Sequence, residues 1–275
     1  MFTLNCKGRL LVVEKPIVMG IINITPDSFY AGSRMPGTDA VLRQAEQMLR
    51  DGATILDIGG QSTRPGSDKL SASEEMSRVL DPIAAVHRNF PKAYISIDTY
   101  YAQVASEAVA AGACIVNDIG AGRMDDAMIA TVASLGVPYV LMHMQGTPQT
   151  MQAAPKYSNV TAEVLDFFIK KRDDLLRAGI RDIIIDPGFG FGKTIAHNFE
   201  LLRNLEVFRL LHLPVLLGIS RKATIYKTLG ITADESLNGT TTLHTIGLMQ
   251  GATILRVHDV KEAQQTVTLW EACMQ

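Results

Sequence analysis

The chain has 275 residues, 47% of them apolar and 20% charged, with a mean hydropathy of +0.13. Such a composition can bury a full core, which excludes a disordered chain or a small disulfide-stapled scaffold; the length suits two modest domains or one large α/β barrel. Lys plus Arg number 26 against 28 Asp plus Glu, a net charge of −2, so the basic excess that drives binding to a phosphate backbone is missing and no nucleic-acid partner is expected. The three cysteines, Cys6, Cys114 and Cys273, match neither a disulfide framework nor a CxxC metal site. A reducing compartment fits them, and the expected location is cytoplasmic. No apolar run approaches the roughly 18 residues of a membrane span. Charges interrupt the short run Leu10–Val13, so neither a signal peptide nor a membrane partner is expected.

In chain order, Phe2–Glu14 alternates around Lys7-Gly8-Arg9 and predicts a β-hairpin. Beyond it, short β-branched runs alternate with segments of helical spacing. The periodicity predicts strand Ile17–Ile22 and helix Asp39–Asp51, strand Thr54–Ile58 and helix Ser73–Asn89, strand Tyr94–Ile97 and helix Tyr101–Ala111, then strand Cys114–Val116 and helix Asp126–Leu135. It continues with strand Tyr139–Met142 and helix Thr161–Ala178, strand Ile183–Ile185 and helix Ala196–Leu210, strand Val215–Ile219 and a two-part helical stretch over Ala223–Gln250, and closes with strand Thr253–Val257 and helix Asp259–Met274. Gly52, Gly112, Gly136 and Gly179 sit just past helical runs, and Ser71 or Ser73 can cap the second helix. Strict βα alternation implies parallel strands with right-handed crossovers, and eight units favour closure. An open dinucleotide-binding sheet would show GxGxxG after the first strand, where this chain has Gly20-Ile21-Ile22-Asn23. The expected fold class is α/β, a (β/α)8 TIM barrel with a short N-terminal β-hairpin. No linker composition divides the chain, so a single domain over 1–275 is expected, with the hairpin at 1–15 lying across one end of the barrel at 16–275.

In such barrels chemistry sits where the strands end. Here the strand runs end, in order, in Asn23, Asp57, Asp98, Asn117-Asp118, His143, Asp186, Ser220-Arg221-Lys222 and Arg256-Val257-His258-Asp259. One polar strand end means little, since any strand leaving a core meets water. Polar ends on all eight, with four carboxylates entering one small ring, point to a ligand that pairs them. Asp57, Asp98, Asn117 and Asp186 suit a neutral heterocycle rich in N–H donors, whereas Lys222, Arg256, His258 and Arg64 suit an anion such as phosphate. Ser62-Thr63-Arg64-Pro65-Gly66 resembles an anion-gripping loop, and Asn23 with Thr25-Pro26-Asp27-Ser28 offers oxygens to a hard cation. With no zinc-type His/Cys spacing, the expected cofactor is Mg²⁺ bridged to a diphosphate. Glycine-rich loops at Ala31–Gly37, Gly59–Ser67 and Gly188–Lys193 can fold over a ligand, with Phe29 and Phe189 or Phe191 as aromatic walls.

Eight motifs now stand in order along the chain. They are Met19-Gly-Ile-Ile-Asn-Ile-Thr-Pro-Asp-Ser-Phe29, Asp57-Ile-Gly-Gly-Gln-Ser-Thr-Arg-Pro-Gly66, Ser96-Ile-Asp-Thr99, Asn117-Asp118, Leu141-Met-His-Met-Gln-Gly146, Asp186-Pro-Gly-Phe-Gly-Phe-Gly-Lys193, Ser220-Arg-Lys222 and Arg256-Val-His-Asp259. Together they resemble the bacterial dihydropteroate synthase family over nearly the whole chain. The resemblance implies a TIM-barrel transferase of folate biosynthesis. Its reaction joins 6-hydroxymethyl-7,8-dihydropterin diphosphate to 4-aminobenzoate, uses Mg²⁺, belongs to a typical homodimer and is the target of sulfonamides. It further implies that Asn23 holds Mg²⁺ and that Arg64, Arg256 and His258 grip phosphate oxygens. Asp98, Asn117 and Asp186 would read the pterin edge with Asp57 and Met142 nearby, Lys222 would lie against the pterin, and Arg256 would stack on its face. Thr63, Pro65, Phe191 and the helix start after Lys222 would form the 4-aminobenzoate pocket.

The chain departs from the family pattern at Ala31, where a loop aspartate is usual, at Gln61 in place of Glu, and at Ala223 in place of a Ser that can contact the 4-aminobenzoate carboxylate. Thr224 and the N–H groups of the helix start remain as substitutes for that hydroxyl. These departures bear on loop detail and 4-aminobenzoate affinity rather than on reaction class. Two other readings stand beside the synthase: a methyltetrahydrofolate-binding methyltransferase of the same superfamily, which needs no diphosphate set, and a non-catalytic pterin-binding paralogue.

Overall fold

The computed structural model describes residues 1–24, 36–61, 69–151 and 155–274. Strands β1 (Phe2–Cys6) and β2 (Arg9–Val13) pair antiparallel from Phe2↔Val13 to Cys6↔Arg9. Lys7 (φ 55°) and Gly8 (φ 81°) turn the chain between them. Both positive angles match the twist that a two-residue hairpin turn requires. The hairpin's alternation sends Leu4, Cys6, Leu11 and Val13 inward and leaves Leu10 and Val12 exposed.

Eight strands follow: β3 (Ile17–Asn23), β4 (Ile55–Gly59), β5 (Tyr94–Asp98), β6 (Ile115–Asp118), β7 (Tyr139–Met142), β8 (Ile183–Asp186), β9 (Leu216–Leu217) and β10 (Ile254–Val257). They form one sheet in the order β8-β7-β6-β5-β4-β3-β10-β9, with every pairing parallel. A bridge between Ile185 and Val215 joins the two outer strands and closes the ring. The helices between strands are α1 (Pro36–Arg50), α2 (Ala72–Asn89), α3 (Ala102–Ala111), α4 (Met128–Leu135), α5 (Val160–Arg177), α6 (Ile195–Arg203), α7 (Ala223–Leu229), α8 (Leu237–Met249) and α9 (Val260–Met274). The expected (β/α)8 barrel with its N-terminal hairpin is the observed architecture.

The local signals act as read. Ser71 accepts from the Glu74 N–H while the Glu74 carboxylate accepts from the Ser71 N–H, a reciprocal cap on α2. Gly112 and Gly136 close α3 and α4. Two elements differ from expectation. The seventh barrel strand is two residues long rather than Val215–Ile219; at its start Val215 makes an isolated bridge to Ile185, and its N–H donates to the Thr253 hydroxyl instead of a ladder carbonyl. The helix expected over Ala196–Leu210 breaks at Asn204 (φ −108°, ψ 19°), beyond which Leu205–Leu211 winds as a 3-10 helix.

Two apolar shells position the site. One fills the space between the strands and helices. The other is the barrel floor, where Ile17, Met19, Ile55, Ile115, Val140, Ile184, Leu216 and Ile254 meet Leu4, Cys6, Leu11 and Val13 of the hairpin. Arg9 fastens the hairpin through its bonds to the Pro91 and Ala93 carbonyls, at 2.7 and 2.6 Å. Among the described residues no helix is long and apolar enough to cross a membrane.

Candidate active site

Side chains on a strand return to the same face every second residue. From the floor positions Ile55, Ile115, Val140, Ile184 and Ile254, two residues up each strand brings Asp57, Asn117, Met142, Asp186 and Arg256 over the apolar plug. Asp98 ends β5 beside them, and Asn23 stands exposed at the end of β3. The apolar floor thus carries a polar layer at the C-terminal end of the barrel.

That layer is internally wired. Arg256 Nε lies 2.6 Å from Asp57 Oδ2, and its Nη2 lies 2.6 Å from Asp98 Oδ2. Asn117 Nδ2 donates to the same Asp57 oxygen at 3.0 Å, while the buried Asp57 Oδ1 has no hydrogen-bond partner among the described residues. Asp186 accepts from the Gly188 N–H at 2.8 Å. Lys222 Nζ donates to the Phe189 carbonyl and stands 4.2 Å over the Phe191 ring. Met142 packs with Tyr100, Ile119, Met144 and Met151, with Phe191 against them.

Burial sets the charge states. It raises the Asp186 carboxyl, with Lys222 and the Gly188 N–H opposing the rise. It raises the Asp98 carboxyl too, against the pull of Arg256 and with Asp57 and Asp118 adding to it. Burial brings Lys222 down to about 8 despite the Asp186 charge. For Arg256 burial works against the charge, but Asp57 and Asp98 outweigh it and hold the guanidinium firmly protonated.

The expected division into an acceptor end and a cationic end does not hold at Arg256, which is clasped by two of the acceptors. Carboxylates brought together in a buried ring need a cation between them. Phe189 is fully buried in the shell between strands and helices, so it is no wall of the site; Phe191 alone of that pair faces it. Thr224 is 2% exposed, buried beside Ala223 in the first turn of α7. His258 stands exposed at the rim, its Nδ1 3.0 Å from Ser220 Oγ. Thr63, Arg64 and Pro65, with Thr25 to Ser28, Phe29 and Ala31, lie outside the described residues.

Three strand-end residues serve the scaffold instead. Asp118, next to inward-facing Asn117, accepts from the Tyr139 hydroxyl and from the Gly120 and Gly122 N–H groups. Arg221 is bound bidentately by Asp259, both contacts at 2.8 Å. His143, next to Met142, meets Lys193 Nζ at 3.0 Å through Nδ1. The period of two carried this signal, because the neighbour of an inward residue points outward. Lys193 went unnoticed as a buried group: it is 2% exposed, and burial takes its pKa down to about 7 against the Asp186 charge, with Lys222 adding to the fall.

A closed parallel barrel with this polar layer at its C-terminal end defines a small-molecule enzyme site of the (β/α)8 class. The model of the family described as "Pterin binding enzyme" matches residues 19–258. The chain is 43% identical to the dihydropteroate synthase of Escherichia coli strain K12 over 273 residues, 98% of this chain and 96% of that one. It is 40% identical to the Bacillus subtilis strain 168 dihydropteroate synthase over 263 residues, 95% of this chain and 90% of the other. Among solved structures, the Yersinia pestis dihydropteroate synthase with a sulfonamide drug superposes with a TM-score of 0.93 at 39% identity, covering 99% of each chain. The Xanthomonas albilineans dihydropteroate synthase in complex with 7,8-dihydropteroate does so with a TM-score of 0.89 at 37% identity, covering 99% of this chain and 98% of that one. The chain belongs to the dihydropteroate synthase family of pterin-binding enzymes.

Proposed function

We propose that the polar layer binds 6-hydroxymethyl-7,8-dihydropterin diphosphate and that the chain joins it to 4-aminobenzoate, giving 7,8-dihydropteroate and diphosphate for folate biosynthesis. The observation that carries the reading is the grouping of Asp57, Asn117, Asp98 and Asp186 above the apolar floor, in a chain of this family. Asp98, Asn117 and Asp186 accept and donate along the pterin edge. Asp57 orients Asn117 and Arg256. Lys222 and Arg256 lie against the ring, Met142 backs it, and Arg64, Arg256 and His258 hold diphosphate oxygens. Phe191, Thr63 and Pro65 border the 4-aminobenzoate.

In the reaction the C–O bond to diphosphate breaks and its electron pair leaves with the diphosphate. The carbon left behind is stabilised by the electron-rich dihydropterin. The arylamine nitrogen forms the new C–N bond and sheds a proton to water or diphosphate. An arylamine is neutral near pH 7, so the protein needs no strong general base; its tasks are to hold the anion, orient the cation and exclude water.

Mg²⁺ fits this site as a partner of the diphosphate. The exposed Asn23 carboxamide offers one hard oxygen, the kind of donor such an ion takes beside water and phosphate. When bound it supplies charge neutralisation to the leaving group. The reading includes a cytoplasmic homodimer, supported by three free thiols and by exposed Ile246 and Met249 on α8 and exposed Leu269 on α9, two helices that pack on each other.

The test incubates purified chain with the pterin diphosphate, 4-aminobenzoate and Mg²⁺ and follows dihydropteroate by mass spectrometry. Product is expected. Pterin bound without product would overturn the synthase reading in favour of a methyltransferase or a non-catalytic pterin binder.

A further inference from the structure

Behind the acids of the site lies an ammonium group that the reaction does not touch. Lys193 closes the glycine-rich segment that follows β8 and is almost wholly buried. Its Nζ stands 3.0 Å from the Gly188 carbonyl, 3.1 Å from that of Phe191, 3.3 Å from that of His143 and 3.0 Å from His143 Nδ1. An ammonium carries three protons, so these acceptors satisfy it with none left for a substrate. His143 is held neutral, and thus able to accept through Nδ1: burial first, then the Lys193 and Arg123 charges, bring its pKa down to about 2. Its ring is fixed edge-on to Phe167, 4.9 Å between centroids.

The segment gathered on this ammonium has little stiffness of its own, since Gly188, Gly190 and Gly192 all take positive φ. Yet it makes three contacts with the site. The Gly188 N–H donates to Asp186, the Phe189 carbonyl accepts from Lys222, and the Phe191 ring lies beneath the Lys222 ammonium. A second tie holds the far end, where the Tyr157 hydroxyl donates to the Gly192 carbonyl at 2.8 Å.

From this geometry we infer that Lys193 is a positioning residue: by collecting the carbonyls of Gly188, Phe191 and His143 onto one buried ammonium, it holds the glycine segment in the shape that aims Asp186, Lys222 and Phe191 at the two substrates. The inference rests on the function proposed above, because its readout is the affinity of that site for the pterin diphosphate and 4-aminobenzoate.

The experiment compares the full chain with Lys193→Met, Lys193→Arg and Tyr157→Phe by steady-state dihydropteroate formation and by hydrogen exchange of the amides from 188 to 192. Lys193→Met is expected to raise the KM of both substrates about tenfold with kcat within about threefold, the pattern of lost binding geometry, and to speed exchange in the segment. Lys193→Arg recovers a large part of the KM change, and Tyr157→Phe shows a smaller rise of the same constants. Unchanged KM values in Lys193→Met, a fall confined to kcat, or an arginine no better than methionine would overturn the inference. Should Lys193→Met fail to fold, Tyr157→Phe decides by the same criterion. A wild-type chain that makes no dihydropteroate refutes the function instead, and in that case exchange rates left unchanged by Lys193→Met or Tyr157→Phe refute the anchoring, while faster rates uphold it.

Discussion

Two ion pairs of 2.6 Å meet at Arg256, and they explain how a barrel interior tolerates its carboxylates. Removing one partner of such a buried pair typically costs about 3–5 kcal/mol because the other is left uncompensated. Glu75 shows the opposite solution. It is fully buried on α2, and burial pushes its carboxyl up to about 8, the Thr99 hydroxyl opposing and the Asp98 charge adding to the rise. A carboxyl whose folded pKa exceeds its unfolded value contributes stability that is complete below the unfolded pKa and is lost as pH rises through the folded one. For Glu75 that window runs from the ordinary 4.5 to about 8. Glu75→Gln, which does not titrate, should therefore gain in Tm over the wild type progressively across this window; a Tm difference independent of pH would contradict the assignment. At this scale the sequence revealed which residue types end the strands but not which way each points. Asp57, Asn117 and Asp186 are legible as members of the polar layer because they stand two positions above apolar floor residues. Asp118 and His143 share the same strand ends and are turned outward to Tyr139 and Lys193.

Among the elements, the segment from Gly188 to Lys193 was legible as unusual because its phenylalanines alternate with glycines. The division of labour between those phenylalanines was not, since it depends on packing against distant elements: Phe189 enters the shell under the helices and Phe191 faces the site. The glycines answer to two constraints. At Gly188 φ is +72° and an added Cβ would meet the His143 carbonyl oxygen at 1.9 Å, whereas at Gly136 φ is +62° and nothing lies within 4 Å. Gly136→Ala should cost about 1–2 kcal/mol for the left-handed backbone alone. Gly188→Ala must also displace backbone, so urea denaturation should show it clearly less stable than Gly136→Ala; equal losses would mean that the segment relaxes freely. The short β9 and the broken sixth helix escaped the periodicity for a related reason. A side-chain hydroxyl competes with the ladder at Val215, and Asn204 bonds the Glu200 carbonyl through its side chain as the chain leaves α geometry. Both are contests between a side chain and the backbone that hydrophobic spacing does not register.

Across the whole molecule, apolar and polar layers are stacked along the barrel axis. The hairpin seals the floor with Leu4, Cys6, Leu11 and Val13, and the polar layer stands over it at the opposite end. This arrangement was readable because strand periodicity and the βα alternation speak of the same axis: one orders the layers and the other orders the strands. The net charge of −2 conveys none of it. It averages over a centre where Asp57 and Asp98 share the Arg256 guanidinium and where Lys222 stands close enough to Asp186 for their charges to act on each other. The central claim is that this centre couples loss of diphosphate to formation of a C–N bond. It is tested most directly by measuring diphosphate and dihydropteroate together, with and without 4-aminobenzoate, for the wild type and Asp186→Ala. Equal amounts of the two products, diphosphate release that depends on 4-aminobenzoate, and loss of both in Asp186→Ala through failed pterin binding are expected. Diphosphate appearing without dihydropteroate, or an Asp186→Ala chain that binds pterin and turns over as the wild type does, would contradict it.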